Sequence, residues 1–440
     1  VARKKTTTKD DKPSDDQNVD AEEHVEGTSP EPEPEPEPAE PKPKAKKAKK
    51  RADKLDGFGE FVGKAAKAWP GTTVIAADTP YKRLPRISTG NIGLDVATFG
   101  GWPRGRIIRV FGREKSAKTG SLLNTVAQWQ KHCALCYERF NCHPDCEFSG
   151  DEENRPKAAA LWIDVENRLE SMWYWVEAHG IDLSRLLVQS PPDGQHVVDF
   201  VDAVIREKGA GIGLIVIDSI AQVTSTEEIE KPTVKGKTAP VNALLLNKAF
   251  RKWTAAVNAL GVMETRKPTI ILINQIRLTM DQYHPEALPG GEGQKYATSI
   301  DVRFASGKHH YLVENRDTGE VEDRVQTFGA RWKPDEDAIP DYVEINYRVT
   351  ASGCCPPGRY GQFNYWTRRA HGRRVGDPDN IERMWGYVKQ LELMAKEGRN
   401  YTLFGLTGSS QQAIREQFVV SPQVQAKVWS EIVTKLINTE

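Results

Sequence analysis

Three short runs limit the fold of this chain more than any other feature: "AAALWIDVE" (158–166), "GLIVIDSIA" (213–221) and "TIILINQIR" (269–277). Each is nearly all apolar and then turns polar at its end. A strand apolar on both faces has to be buried on both, the condition of a parallel sheet covered by helices. A fourth run, "RIIRVFG" (106–112), is β-branched, and the helical pattern "SLLNTVAQWQKH" (121–132) follows it. The expected class is α/β, with a central, mostly parallel twisted sheet flanked by helices. Ligands of such sheets sit in the crevice outside the carboxyl ends of the strands. Glu166, Asp218 with Ser219, and Gln275 end these strands, so they would converge there with the 112–119 loop.

That loop reads "GREKSAKTG" (112–120): Gly112, Arg113, Glu114, Lys115, Ser116, Ala117, Lys118, Thr119 and Gly120. It follows a phosphate-binding pattern, G-x-x-x-x-G-K-[ST], except that Ala117 stands at the second glycine. The string alone is weak, but between a β-branched strand and a helix it carries weight. Backbone N–H groups at the helix start face phosphates, Lys118 would reach the β/γ-phosphates, and the Thr119 hydroxyl would ligate Mg²⁺. An alanine held at positive φ costs about 1 kcal/mol, small beside multidentate phosphate contacts. Asp218 would orient the Mg²⁺ waters or simply cap a helix. Glu166 would activate an attacking water, as phosphoryl transfer requires, or be a surface-loop glutamate.

The remaining chain divides by composition. Lys+Arg and Asp+Glu both number 61, and the zero net charge hides an acidic Pro-rich block (31–40) next to a basic one (43–51). Residues 1–50 lack apolar periodicity and are expected to be disordered, either a solubility tail or an electrostatic contact for nucleic acid. Residues 51–85 hold one amphipathic helix (52–69) and a linker. An apolar stripe through Leu55, Phe58, Phe61, Val62, Ala65 and Trp69 needs a partner surface, in its own domain or on a neighbouring subunit. Residues 86–370 form the sheet domain and 371–440 a small helical module. No run is long and apolar enough to span a membrane, and no secretory apolar core is present. With six cysteines in 440 residues, a reducing, cytoplasmic setting is expected.

From about 52 to 405 the chain resembles the RecA-type homologous-recombination ATPases of bacteria and bacteriophages. The likeness rests on "RISTGNIGLDVATFGGWPRGRIIRVFGREKSAKT", "LWIDVENRLESMW", "LIVIDSIAQVTSTEEIE", "LNKAFRKW" and "ILINQIR" followed by "PGGEGQKYATS", in that order. The resemblance implies a RecA-like ATPase core, an N-terminal helix that polymerises against the next subunit, and a small C-terminal helical domain. It places Glu166 as catalytic glutamate, Lys118 and Thr119 on phosphate and Mg²⁺, Asp218 in the second acidic motif, and Gln275 as γ-phosphate sensor. Trp173 matches the aromatic stacked on adenine and Glu170 an acid at the base edge. Single-stranded DNA would be held by loops at 227–243 and 277–296, with Asn247, Arg251, Arg277, Gly290 and Gly291 at contact positions. Tyr283 would stack beside bases or pack on the neighbouring subunit. Lys295 and Arg348 match cations that reach a neighbour's ATP. Ala117, Thr350 (a second interface lysine in many bacterial members) and Leu244 (an arginine on DNA) depart from the pattern.

The implied activity is DNA-dependent ATP hydrolysis coupled to pairing and strand exchange between single-stranded DNA and a homologous duplex, in a helical homo-filament. Single-strand-binding and loader proteins are further expected partners. A regulatory paralogue that coats single strands with little turnover, motivated by Ala117 and Thr350, and a ring helicase built on the same core are the competing functions.

One feature is foreign to that family. "HCALCYERFNCHPDC" sets Cys133, Cys136, Cys142 and Cys146 within fourteen residues, in an insertion at 132–157. Pairs at C-x2-C and C-x3-C can wrap a tetrahedral Zn²⁺ with no open position, a structural site, or be ordinary loop thiols. His132 and His143 are substitute ligands. The pair Cys354–Cys355 has no such company and receives no role.

Overall fold

The computed structural model describes residues 58–69, 84–151, 153–207, 211–230, 239–261, 264, 266–279, 283, 286–315, 318–326, 332–335 and 337–438. The 1–50 tail, residues 52–57 of the expected helix, the 70–83 linker, and parts of both expected loops (231–238, 280–282, 284–285) lie outside these. Helix α1 (Phe58–Ala68) carries the amphipathic pattern, with Phe61 and, just beyond its end, Trp69 exposed. Helix α2 (Ile92–Ala97) opens on Asn91, whose side chain accepts the Leu94 N–H, a local cap that fixes where the helix starts.

A nine-stranded sheet organises residues 107–366. Its strands are β1 (Ile107–Gly112), β2 (Ala159–Asp164), β3 (Leu186–Gln189), β4 (Ile212–Asp218), β5 (Thr269–Gln275), β6 (Ile300–Glu314), β7 (Val321–Gln326), β8 (Tyr342–Ser352) and β9 (Tyr360–Trp366). They lie in the order β9-β8-β6-β1-β5-β4-β2-β3, with β7 paired to β6. The four runs singled out in the sequence become β1, β2, β4 and β5, all mutually parallel.

Their side chains show why both faces are apolar. Ile108, Val110, Trp162, Leu214, Val216, Ile271 and Ile273 pack on one side against Leu122, Leu123, Val126 and Trp129 of helix α3 (Lys118–Trp129). The intervening residues Ile107, Leu161, Ile163, Ile215, Ile217, Ile270 and Leu272 pack on the other. There they meet helices α4 (Gly194–Arg206) and α5 (Ala239–Ala259) through Val197, Val201, Phe250 and Trp253. Each fully buried aliphatic side chain contributes roughly 1.5–3 kcal/mol. A charge at Ile271 would have no partner at the centre of this stack and would break it.

Two parts of the fold were not anticipated. Strands β6 to β9 extend the parallel core as an antiparallel wing. The carboxyl-terminal segment contains helices α6 (Asn380–Gln390), α7 (Gln411–Val419) and α8 (Pro422–Asn438), but also a three-stranded antiparallel sheet (Ala395–Glu397, Asn400–Leu403, Leu406–Gly408). Met384, Trp385, Val388, Leu403, Ile414, Phe418, Val428 and Ile432 form its core, which also takes Ile92 of α2. Among the described residues no helix is long and apolar enough to cross a membrane.

Candidate functional site

The loop from β1 to α3 is the frame of the site. Lys115 and Ala117 both sit in the left-handed region, at φ +58° and +55°, so the alanine occupies the conformation a glycine would favour. Ser116 Oγ donates to the Arg113 carbonyl at 2.8 Å. Lys118 is buried, and its Nζ donates to the carbonyls of Gly112 (3.1 Å) and Arg113 (2.7 Å). Burial holds its pKa below the ordinary lysine value, against the pull of Asp218, Glu166 and Glu114. Gly120 is required by close approach: a Cβ there would lie 1.9 Å from the Tyr365 hydroxyl. Arg113 is turned to Glu286, at 2.9 Å.

Three strand ends meet this loop. Thr119 Oγ1 donates to Asp218 Oδ2 at 2.9 Å. Glu166 accepts from Ser219 Oγ (2.7 Å) and Gln275 Nε2 (2.6 Å) and pairs with Arg168 (3.1 Å). Backbone bonds pull the Glu166 segment against β4, the Val165 N–H donating to the Asp218 carbonyl at 2.8 Å. Burial, and then the neighbouring Glu166 charge, raise Asp218 to about 7. A desolvated carboxylate beside a threonine hydroxyl, short of positive charge, suits a hard divalent cation, so Thr119 and Asp218 fit Mg²⁺. Asp164, absent from the sequence reading, is buried beside them, its pKa raised by burial, and accepts the Leu169 N–H at 2.7 Å.

Together these residues line a cleft of about 550 Å³. Glu114 through Gly120, Glu166, Asp218 and Gln275 form one side, and Met172, Trp175, Tyr311 and Tyr365 extend it. Glu170 and Trp173 are exposed and lie outside the cleft lining, where Met172 and Trp175 stand instead. Trp175 and Tyr365 are bridged from behind by His179. Its Nδ1–H donates to the Trp175 carbonyl (2.7 Å), leaving Nε2 to accept the Tyr365 hydroxyl (3.1 Å).

A hydrogen-bonded chain leads from Gln275 to the glycine-bearing loop. The Gln275 N–H donates to Asn274 Oδ1 (2.8 Å), and Asn274 Nδ2 donates to Gln294 Oε1 (2.9 Å). Gln294 Nε2 donates to the carbonyls of Pro289 and Gly291. Gly290 and Gly291 turn there at φ +94° and +79°, where side chains are strained. Arg109, paired with Asp301, also donates to Gln294 Oε1 at 3.3 Å. Gln294, Asn274, Arg109 and Asp301 are all buried.

The other expected positions are on view. Asn247 Oδ1 is buried without a partner against Gly293. Arg251 is exposed, its Nε donating to the Asn247 carbonyl at 3.2 Å. Arg277 is exposed and reaches the Ala221 carbonyl at 3.3 Å, and Tyr283 is 90% exposed. Leu244 is exposed too. Lys295 pairs with Glu292 at 2.7 Å. Arg348 is exposed on β8, opposite Arg303 and Tyr360 in the ladder, and Thr350 Oγ1 donates to the Asp301 carbonyl at 3.3 Å.

The four clustered cysteines converge. The sulfurs of Cys133, Cys136, Cys142 and Cys146 all lie within 4.8 Å of one another. Four thiolates around one Zn²⁺ at about 2.3 Å would sit roughly 3.8 Å apart, and Cys133 and Cys146 are 4.0 Å apart. Backbone N–H groups two residues further on reach three of the sulfurs: Leu135 to Cys133, Glu138 to Cys136 and Phe148 to Cys146. Arg155 reaches Cys142. Donors aimed at sulfur stabilise thiolates, so the donor set fits the metal. His132 is buried and bonded to the carbonyls of Gln128 and Trp129 rather than to the cluster, and His143 is exposed beside Asp145.

Comparison with known proteins matches the family described as the RecA N-terminal domain to residues 63–143 and 150–331, with the break inside the cysteine segment. Protein RecA of Chelativorans sp. (strain BNC1) is 31% identical over 259 residues, 58% of this chain and 59% of that protein. Protein RecA of Helicobacter hepaticus is 33% identical over 239 residues, covering 53% and 59%. Protein RecA of Leptospira biflexa is 26% identical over 364 residues, covering 81% and 76%. The chain thus spans about three fifths of the length of the first and second of these relatives.

Proposed function

The chain belongs to the RecA family, and from that premise we propose that it is an ATP-dependent recombinase that forms a filament on single-stranded DNA and exchanges it with a homologous duplex. The observation that carries this reading is the meeting of Lys118, Thr119, Glu166, Asp218 and Gln275 in one cleft at the ends of β1, β2, β4 and β5. Water attacks the γ-phosphorus of ATP, its proton passes to Glu166, and the bond to the ADP oxygen breaks. Lys118 balances the charge on the phosphate oxygens. Thr119 and Asp218 would hold Mg²⁺, which would supply further charge neutralisation when bound.

In the arrangement seen, Lys118 is satisfied by loop carbonyls and Glu166 by Ser219, Gln275 and Arg168. Both are engaged with other groups of the protein. Turning Gln275 toward a γ-phosphate would release Glu166 for water and shift Asn274 and Gln294 with it. Asn247, Arg251, Arg277, Tyr283, Gly290 and Gly291 hold the strand by backbone and stacking contacts. Glu170 and Trp173 meet the base, Lys295 and Arg348 reach the ATP of the next subunit, and α1 joins subunits. The four cysteines hold a structural Zn²⁺.

The test is phosphate release with and without single-stranded DNA, joined to strand exchange with and without ATP. DNA-stimulated release that Glu166→Gln abolishes, and exchange that needs ATP, are expected. DNA binding without turnover would leave the regulatory paralogue. Rings rather than filaments on single strands in electron microscopy would leave a helicase. Arg251→Ala and Arg277→Ala should each lower the salt slope of single-strand binding by about one unit for all sequences alike.

A further inference from the structure

At the far end of α3 from the phosphate loop, a second cleft of about 650 Å³ opens between the cysteine segment, the chain before β1, and helix α8. Twelve residues of helix, about 18 Å, separate it from Lys118. Among the described residues its walls carry Arg86, Arg104, Lys131, Arg139 and Arg155 against two carboxylates, Asp95 and Glu138. Asp95 is fully buried and taken up by Ser88, Thr89 and the Trp429 indole. Glu138 lies 3.5 Å from Arg104, whose buried Nε still lacks a partner.

Lys131 and Arg139 converge on one neutral acceptor. Both donate to Gln128 Oε1, at 3.2 and 2.8 Å, and neither has a carboxylate within ion-pair distance among the described residues. The Arg155 guanidinium donates to the carbonyls of Lys131, Arg139 and Phe140 and also reaches the Cys142 sulfur. Like charges crowded in a partly desolvated groove repel, and an anion entering it relieves both the repulsion and the missing hydrogen bonds. Phe140 is 55% exposed, with the Arg139 guanidinium 5.2 Å from its ring centroid, and Trp429 stands on the α8 wall.

We propose that this cleft is a second nucleic-acid site, binding the phosphodiester backbone of a strand without reading its sequence. Cations from three segments line the cleft and can meet a phosphate backbone, and an aromatic face beside them accepts any base. An acidic peptide would meet the charges but leave Phe140 unused. The cysteine segment supplies Arg139, Phe140 and Arg155, so the metal would order one wall. The site stands apart from the ATP cleft and from Arg251 and Arg277, and so does not depend on the recombinase assignment.

The test uses the full chain without nucleotide, labelled single-stranded and duplex oligonucleotides, and fluorescence anisotropy over a salt series. Lys131→Gln with Arg139→Gln should lower the salt slope by about 1.4 for a single strand or about 1.8 for a duplex, two phosphates' worth. Adding Arg277→Ala should reduce it further and independently. ATP hydrolysis without DNA and the thermal midpoint should stay as in the unaltered chain. If the double variant fails to fold, Lys131→Glu alone, a change at an exposed side chain that bonds Gln128, should still weaken binding at least threefold. Unchanged slopes and affinities for both oligonucleotides would overturn the proposal. So would displacement of the oligonucleotide by polyglutamate at equal charge, with no protection of Lys131 from acylation by the oligonucleotide.

Discussion

Ala117 holds φ +55° at the start of α3 with no side-chain cap. Glycine there would remove about 1 kcal/mol of backbone strain but add roughly 0.5–1 kcal/mol of unfolded-state entropy, so the two nearly cancel. Ala117→Gly should therefore leave the denaturation midpoint almost unmoved and ATP hydrolysis within about tenfold. A larger loss in turnover would mean that the alanine methyl itself shapes the loop. His179 makes a stronger claim at the same scale. Burial depresses it to about 4, and its neutral tautomer is needed to join Trp175 to Tyr365. The unfolded chain takes up a proton near 6.5 while the folded one refuses it until about 4, so its stability contribution is complete above 6.5 and is lost as pH falls toward 4. That window is worth on the order of 3 kcal/mol. Urea unfolding at pH 7 and pH 4.5 should show the loss, and His179→Gln, less stable at pH 7, should show a smaller difference between the two.

Among the elements, the parallel strands were readable because burial on both faces leaves runs such as "LIVID" that no surface segment would carry. Their polar ends then pointed to Glu166, Asp218 and Gln275 without knowledge of contacts. The antiparallel wing was also written in the chain, since Val343, Ile345, Tyr347 and Val349 alternate with more exposed neighbours. Tyr365 and Trp175 were not readable, because their place in the cleft depends on β9 arriving at α3 from 245 residues further on, and nothing local records that. Gln294 belongs to the same class, a buried amide whose partners Asn274, Pro289, Gly291 and Arg109 come together only in the fold. If the chain from Glu166 to Gly291 transmits the state of the nucleotide, Gln294→Leu should keep hydrolysis without DNA near its original rate. It should lose most of the stimulation by single-stranded DNA while DNA binding weakens less. Equal stimulation in the variant would show that the link is only structural.

Over the whole molecule, the cysteine segment joins a family core to something that core does not require. The family match breaks at 144–149, within the segment, and resumes beyond it. Cys133 and Cys142 are buried and all six cysteines are free thiols, so the four can act as ligands together without breaking a bond. Purified, reduced chain should hold one Zn²⁺ by elemental analysis, and Cys133→Ser with Cys136→Ser should release it. Four thiolates packed within 4.8 Å repel one another without a cation, so loss of metal should protonate them and loosen residues 133–150, seen as new proteolytic cuts there. The damage should stop at the segment's root. Cys133 and Lys157 form an isolated bridge where the segment leaves and rejoins the core, and Trp129, Ala158 and Ala160 just beside it lie in the main apolar cluster. ATP hydrolysis without DNA should then persist in the metal-free chain, while oligonucleotide binding at the Lys131 cleft falls with the wall that the metal holds. Absence of metal from reduced, unchelated protein would return the cysteines to ordinary thiols. Retention of oligonucleotide binding after metal loss would detach the cleft from the cysteine segment.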